Sequence, residues 1–289
     1  MKSEDESAMT GINKKYLNTV VAVGVEDRTH PDKKIWIGTG FLMGFSHDGK
    51  KEIFLLTNKH VLEHQKQVLI RFNKLDGSAA NDFPLDLRTN DGAHLYSIHP
   101  KNEVDVAAVK LNSDFLAKSE SQYQYFDINS ETMTLEQMDS ANMNEGSFVY
   151  ALGFPMNLVA KDRQYPICRL GCISRISDAF EFTNAVDFLV DAQTFPGNSG
   201  GPIVVRNIDE SGNGNEQKLI GILSAYIPYR EPLYSRQTGQ QRSLMEENSG
   251  LTVVHPVNRI LEVIDIEHKK YLLAIAPVRK KNRVNPPPK

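Results

Sequence analysis

Cysteine is scarce in this 289-residue chain: only Cys168 and Cys172 occur, four positions apart. Two thiols build no disulfide framework and leave a tetrahedral zinc site incomplete, so they read as ordinary strand residues in a reducing compartment. Long apolar runs are also missing. Val20 to Val25 and Ile53 to Leu56 fall far short of the roughly 20 residues a membrane helix needs, so no membrane association is expected. The opening Met1-Lys2-Ser3-Glu4-Asp5-Glu6 is charged, with no apolar stretch or small-residue cleavage site behind it. No secretion signal is read there, and the expected location is cytoplasmic. Nor is there an excess of basic charge. The net charge is −3 with both signs interspersed, which argues against a nucleic-acid partner, whose footprint is a basic domain or stripe.

What the chain does have is 40% hydrophobic residues, ample for a packed core. Short β-branched and apolar runs alternate with turn residues. In the first half they are Leu17 to Val25, Ile35 to Phe45, Glu52 to Thr57, Gln67 to Phe72, Ala93 to Ile98 and Val104 to Leu111. In the second they are Ser147 to Leu152, Ile167 to Ile176, Val186 to Asp191, Pro202 to Arg206, Leu219 to Tyr226 and Leu251 to Val254. The polar stretch Asn112 to Glu145 separates the two sets. Such spacing, without helical patterns of comparable length, predicts an all-β fold of antiparallel barrels or sandwiches. Apolar residues at 257, 260, 261 and 264 behind Pro256 predict a short closing helix.

The most informative stretch is Phe195-Pro196-Gly197-Asn198-Ser199-Gly200-Gly201-Pro202. Glycines flanking a serine at a sharp turn let the backbone adopt unusual φ/ψ, so that the amides of Gly197 and Ser199 and the serine hydroxyl converge on one point. A serine hydroxyl is a weak nucleophile until a base takes its proton. His60 directly follows the apolar run Ile53 to Thr57, a rigid mounting for such a base. Asp105 lies in the buried-looking run Glu103 to Val109; an unpaired charge there costs several kcal/mol, and a histidine N–H is the natural partner. Linked in that way, the acid sets the imidazole tautomer and stabilises the imidazolium.

The order His60, Asp105, Ser199 resembles the trypsin-like (chymotrypsin-fold) serine peptidases, and within them the protease domain of the HtrA/Deg family. The matching strings are Gly38 to Leu42, Leu56-Thr57-Asn58-Lys59-His60-Val61, Asp105-Val106-Ala107, Ala151-Leu152-Gly153-Phe154-Pro155, Pro196 to Pro202, Ile220-Gly221-Ile222, and Gly250-Leu251 through Pro256. The resemblance implies two six-stranded antiparallel β-barrels with a cleft between them. It makes His60 the base, Asp105 the orienter, Ser199 the nucleophile, and the Gly197 and Ser199 amides the oxyanion hole, with no cofactor and no metal. A protein or peptide substrate would add as a strand beside Ser224, Ala225 and Tyr226, with Gln193, Thr194 and Thr252 shaping the specificity pocket.

The organisation expected is a tail over 1–15, a first barrel over 16–125, a connecting segment over 126–145, a second barrel over 146–256, a closing helix and end segment over 257–278, and a tail over 279–289. The chain also departs from its relatives. Asn198 stands where digestive enzymes carry an acid that pairs with a newly cut N-terminus, so activation by such cleavage is not expected. The C-terminal peptide-binding (PDZ) domain usual in HtrA-type enzymes is not expected either. The polar insertion Tyr229 to Ser249 reads as a lid or exosite, and an activating partner protein is an expected means of control. Neutral Gln193 leaves a basic P1 side chain without a charge partner, predicting small or medium apolar P1 residues.

Two other classes compete. His60-Val61-Leu62-Glu63-His64 fits the H-x-x-E-H zinc-peptidase pattern, but it leaves a strand rather than lying in a long helix, and it leaves the Ser199 octet unexplained. The second is a dormant or inactive trypsin-fold binding module regulated by a partner. No triad residue and no oxyanion glycine is missing here, as is usual in dead relatives.

Overall fold

The computed structural model describes residues 11–283 apart from 28, 31–32, 48, 183–184 and 207–216. Residues 1–10 and 284–289, which make up much of the two expected tails, lie outside the described residues. Nine strands form a curled antiparallel sheet over the first half: β1 (Val20–Glu26), β2 (Lys34–His47), β3 (Lys50–Thr57), β4 (Gln67–Lys74), β5 (Asn81–Asp86), β6 (Ser97–Ile98), β7 (Ala107–Leu111), β8 (Ser121–Gln122) and β9 (Phe126–Asp127). Its main path runs β5-β4-β1-β2-β3-β7-β6; β8 pairs with β4, and β9 pairs with β2 in parallel. Six strands of the second half, β10 (Phe148–Gly153), β11 (Ile167–Arg175), β12 (Phe188–Asp191), β13 (Pro202–Arg206), β14 (Gln217–Tyr234) and β15 (Gln241–Pro256), close into a barrel in the order β10-β11-β12-β15-β14-β13. This is the all-β, chymotrypsin-like two-barrel architecture, with the first barrel open along β5 and β6.

The helices α1 (Lys14–Leu17), α2 (Lys59–Leu62), α3 (Ser113–Lys118), α4 (Leu135–Ser140) and α5 (Ser177–Glu181) are short, and α6 (Val257–Arg283) is long. None is long and apolar enough to cross a membrane among the described residues.

Both faces of the central strands are buried, which explains why their sequences are continuously apolar rather than alternating. Val21, Val23, Leu42, Ile53 and Leu55 point into the first barrel, while their neighbours Val20, Ala22, Phe41, Met43, Phe54 and Leu56 point into a second core shared with Leu152, Phe154, Val204, Leu219 and Ile222 of the other half. Val257, Ile260, Val263 and Ile264 of α6 join that shared core. Val149, Ala151, Val190, Ile203, Val205, Ile220 and Val254 fill the second barrel. The seam between the halves is therefore a hydrophobic core in its own right, and it gives the cleft above it a rigid floor.

Three differences from the sequence expectation have identifiable causes. First, β5 contains Pro84, which argues against a strand, yet it lies at the sheet's edge, where proline is tolerated. Second, α6 continues well past Ile264 through polar anchors that apolar spacing does not register. Buried Glu267 accepts a hydrogen bond from Ser97 Oγ at 2.6 Å, and His268 meets Glu52 at 2.9 Å. Third, β14 and β15 do not stop at Tyr226 and Leu251. They extend as a two-stranded ribbon from Pro228↔Asn248 to Tyr234↔Gln241. Pro228 and Pro232 lie an even number of residues apart, so both lack their donor on the same edge of the strand.

Glu145 caps α5 from outside the helix. It accepts hydrogen bonds from the Ile176 and Ser177 amides at 2.8 and 2.9 Å, satisfying orphan donors that the Ile176 side chain cannot. Those amides hold its carboxyl down from the ordinary 4.5 to about 2. A depressed carboxylate pKa contributes stability above its ordinary value and loses it as pH falls through the folded value. The stability difference between wild type and Glu145→Gln is therefore expected to shrink as pH falls from about 4.5 to about 2, read as converging urea midpoints. A difference independent of pH would contradict this assignment.

Candidate active site

His60 sits in α2, the single turn that follows β3, with its ring largely exposed. Asp105 lies in the extended segment just before β7 rather than inside a strand, between buried Val104 and Val106. The two meet directly. His60 Nδ1 is 2.5 Å from Asp105 Oδ2, and the His60 backbone N–H donates to Oδ1 at 3.1 Å. Ser224 Oγ donates to Oδ2 at 3.4 Å. With the ring proton on Nδ1 facing the carboxylate, Nε2 is left with a free lone pair, as a general base requires. Burial pushes the Asp105 carboxyl up, but the hydrogen bond and charge of His60 outweigh it and hold the group below the ordinary range.

The backbone of Asp105 is pinned as firmly as its carboxylate. Its carbonyl accepts from Asn58 Nδ2 at 2.6 Å, and its N–H donates to His255 Nε2 at 3.0 Å. Sequence reasoning did not single out either partner. Asn58 carries the signature of a helix N-cap, immediately ahead of α2, yet its side chain makes no cap bond and is committed to Asp105.

The Ser199 loop is shaped by glycine. Gly197 has φ 98°, and a Cβ there would lie 2.4 Å from Phe154 O; Gly200 has φ 85°, and a Cβ would lie 2.2 Å from Thr39 O. No other residue fits either position without displacing backbone. Thr39 is the loop's hub. Its N–H donates to Ser199 O at 2.9 Å, its Oγ donates to Gly197 O at 2.6 Å, and the same oxygen accepts from Phe154 N at 3.0 Å. Met156 N–H donates to Pro196 O at 2.6 Å. Because the C=O and N–H of a trans peptide point in opposite directions, this bond turns the Gly197 N–H away from Met156. Met156 and Asn157 both adopt left-handed backbone, with φ 53° and 57°, so the segment that sets this peptide is itself held in a costly conformation.

His60, Ser199, Thr194, Ser224, Ala225 and Tyr226 together line a cavity of about 220 Å³, along with Phe195, Pro196 and Leu223. Among the described residues no hydrogen bond joins the His60 ring to the Ser199 hydroxyl; such bonds commonly tighten only when substrate binds. Thr252 does not line the cavity. It is fully buried, and its Oγ bonds Thr194 Oγ at 2.7 Å, so it supports the wall from behind. Gln193, expected at the pocket floor, has φ 45° and its N–H on Gly250 O, and it lines a neighbouring depression with Arg169, Leu170 and Asp191. Its left-handed backbone has no sequence signature in a glutamine.

His64, the second histidine of the zinc-like pattern, is exposed and faces Glu63 at 3.4 Å. Among the described residues no three His, Cys, Asp or Glu side chains converge as metal ligands.

Solved structures with a similar chain path include a variant of the HtrA-type protease AlgW with a tripeptide (18% identity, 87% of this chain and 60% of that one, TM-score 0.47). AlgW with a decapeptide is similar to the same degree (18% identity, 89% and 66%, TM-score 0.46). The apo MamO protease domain of Magnetospirillum magneticum is also similar (13% identity, 86% and 96%, TM-score 0.45). The chain thus spans only 60% of the first of these proteins. No curated protein matches it by sequence. The family match is the stronger finding: residues 38–209, more than half of the chain, from the Gly38 string through the Ser199 loop and β13, fit the trypsin-like peptidase domain, and the chain belongs to that family.

Proposed function

We propose that this chain is a serine endopeptidase that cleaves protein substrates through an acyl-enzyme on Ser199. The observation that carries the reading is the His60–Asp105 contact at 2.5 Å on the rim of the cavity that Ser199 also lines. Ser199 Oγ attacks the scissile carbonyl carbon while His60 Nε2 takes its proton, and the oxygen of the tetrahedral intermediate receives the Gly197 and Ser199 N–H groups. His60 then hands that proton to the departing amine as the C–N bond breaks. Water repeats the sequence on the ester, releasing the acid and restoring the hydroxyl.

The substrate's backbone is expected to pair with the edge of β14 from Ser224 to Tyr226. β13 occupies that edge only as far as Ile222, and the last bonds along it join Leu223 to Gly200 and Gly201. A cavity lined by Thr194, Phe195, Leu223 and Ala225, with no Asp, Glu, Lys or Arg side chain, favours small or medium apolar P1 residues.

The same strand continues, past a register shift between Tyr226 and Pro228, into the ribbon, whose Tyr229, Leu233, Tyr234, Leu244 and Met245 are exposed. This continuity supports an exosite reading of the insertion, in which the substrate chain N-terminal to the cleavage point is held beyond the cleft. Excising residues 229–247 and rejoining the arms is expected to slow cleavage of a protein substrate while sparing a short peptide. Equal rates on the protein substrate before and after excision would count against it.

The experiment that tests the function is incubation of wild type and Ser199→Ala with a proteome, reading new N-termini by mass spectrometry. New termini only with wild type, following small or medium apolar residues, are the expected result. Identical termini from both proteins would remove the peptidase reading, and cleavage concentrated after Arg or Lys would remove the P1 assignment.

A further inference from the structure

We propose that His255 is a positioning residue that latches the backbone of Asp105, and with it the imidazole of His60, to the second barrel. The inference rests on the serine-peptidase reading but concerns a residue that neither touches the cavity nor belongs to the triad.

His255 lies near the end of β15, opposite Ile222 of β14, and is 2% exposed. Both of its ring nitrogens are committed. Nε2 accepts from the Asp105 N–H at 3.0 Å, and Nδ1–H donates to Val186 O at 2.8 Å. One tautomer alone satisfies both bonds, and it is uncharged; an imidazolium has no lone pair to offer Asp105. The ring therefore bridges Asp105 of the first half to β15 and to the segment leading into β12.

The rest of the Asp105 environment shows why this bond matters. The carbonyl is held by Asn58 of the same half, and the carboxylate by His60 and Ser224. Ser224 and His255 are thus the second-half groups that hold Asp105, and the Ser224 bond, at 3.4 Å, is long. The nucleophile sits in the second half and the base in the first, so the distance between them depends on contacts of this kind. The exposed His60 ring has little packing of its own and takes its orientation from Asp105. A displacement near 1 Å at such a group costs on the order of 10²-fold in rate.

The ionisable groups around His255 are Asp105 and Asp187, which favour its protonation, and His99, which opposes it. His99 is itself buried and committed, with Nε2 on Glu262 at 2.5 Å and Nδ1 accepting from Lys101 N; Glu262 also binds Arg259. Burial is the largest influence and pushes His255 below the ordinary histidine range. The latch is therefore closed at neutral pH and opens only in acid.

Three variants separate positioning from packing. The amide of His255→Gln reaches the place of Nε2 and accepts from Asp105. That of His255→Asn reaches only the place of Nδ1 and donates to Val186, while His255→Leu does neither. For a peptide substrate above neutral pH, kcat is expected to fall by about 10- to 100-fold in the Asn and Leu variants, with KM unchanged, and to recover in the Gln variant. Melting temperatures of all three are recorded alongside. If kcat follows melting temperature across the series, or the Gln variant is no better than Asn, His255 is a packing residue and the proposal is wrong. Hydrogen exchange at the Asp105 amide decides the latch without any turnover: slow exchange is expected in wild type and Gln, fast in Asn and Leu. Should wild type neither cleave peptides nor label at Ser199, the peptidase reading fails, and the Asp105 amide still reports whether the latch exists.

Discussion

A Ser199→Ala chain is expected to lose peptide-bond hydrolysis by on the order of 10⁶-fold in kcat, the effect of deleting a nucleophile whose base and oxyanion donors act with it as a unit. Its stability should hardly change. The loop is held through backbone atoms, Thr39 N–H on Ser199 O and Gly200 N–H on Leu223 O, and the serine hydroxyl takes no part in either bond. A half-buried hydroxyl without a partner to strand leaves the folded state within about 0.5 kcal/mol of wild type. Single-turnover kinetics on a peptide, with the wild-type fraction fixed by titration of the active serine, measure the drop. A residual rate above roughly 10⁻³ of wild type would mean that another group carries the attack.

Asp105→Asn is expected to lower kcat by about 10⁴-fold with little change in KM. The side chain keeps its shape, but its amide N–H now faces His60 Nδ1, which must accept instead of donate; the ring proton moves to Nε2 and the base is gone. The pH dependence of stability should change with it. The Asp105 carboxyl, pushed up by burial but held lower overall by His60, contributes stability above its ordinary pKa and loses that contribution as pH falls through its depressed folded value. The gap in unfolding free energy between wild type and Asp105→Asn should therefore narrow in acid. Serine labelling by a fluorophosphonate ought to slow in the same proportion as kcat. A loss of tenfold or less would mean that His60 takes its tautomer from something other than Asp105.

The parts of this site that can be read along the chain are those that depend on local chemistry. Gly197 and Gly200 announce a loop that only glycine can form, and the structure gives both left-handed backbone with a neighbour where a Cβ would be. His60 directly follows an apolar run, which becomes β3. Asn58, Thr39 and His255 could not be picked out in that way, because a buried polar residue among apolar neighbours looks alike whether it caps a helix, fills a core or holds an acid. Nor does position counted back from the nucleophile reveal that Gln193 takes left-handed backbone.

The ribbon shows the same limit on a larger scale. Its arms carry Glu246, Arg230, two prolines and many polar residues, so they read as a loop, yet cross-strand pairing with an Arg230–Glu246 contact at 3.0 Å makes them strands.

By itself, the sequence determined that the chain is an all-β protein, that a serine sits in a glycine-built turn, and that Asn198 leaves no acid beside it for a new N-terminus. Tertiary structure decided which partners those groups have: His60 with an acid 45 residues away, and that acid with a histidine 150 residues away. The physical reason is one of range. Periodicity and turn chemistry act over a few residues, whereas the hydrogen bonds that orient a base cross a seam whose two sides become neighbours only when the shared core between the barrels is packed.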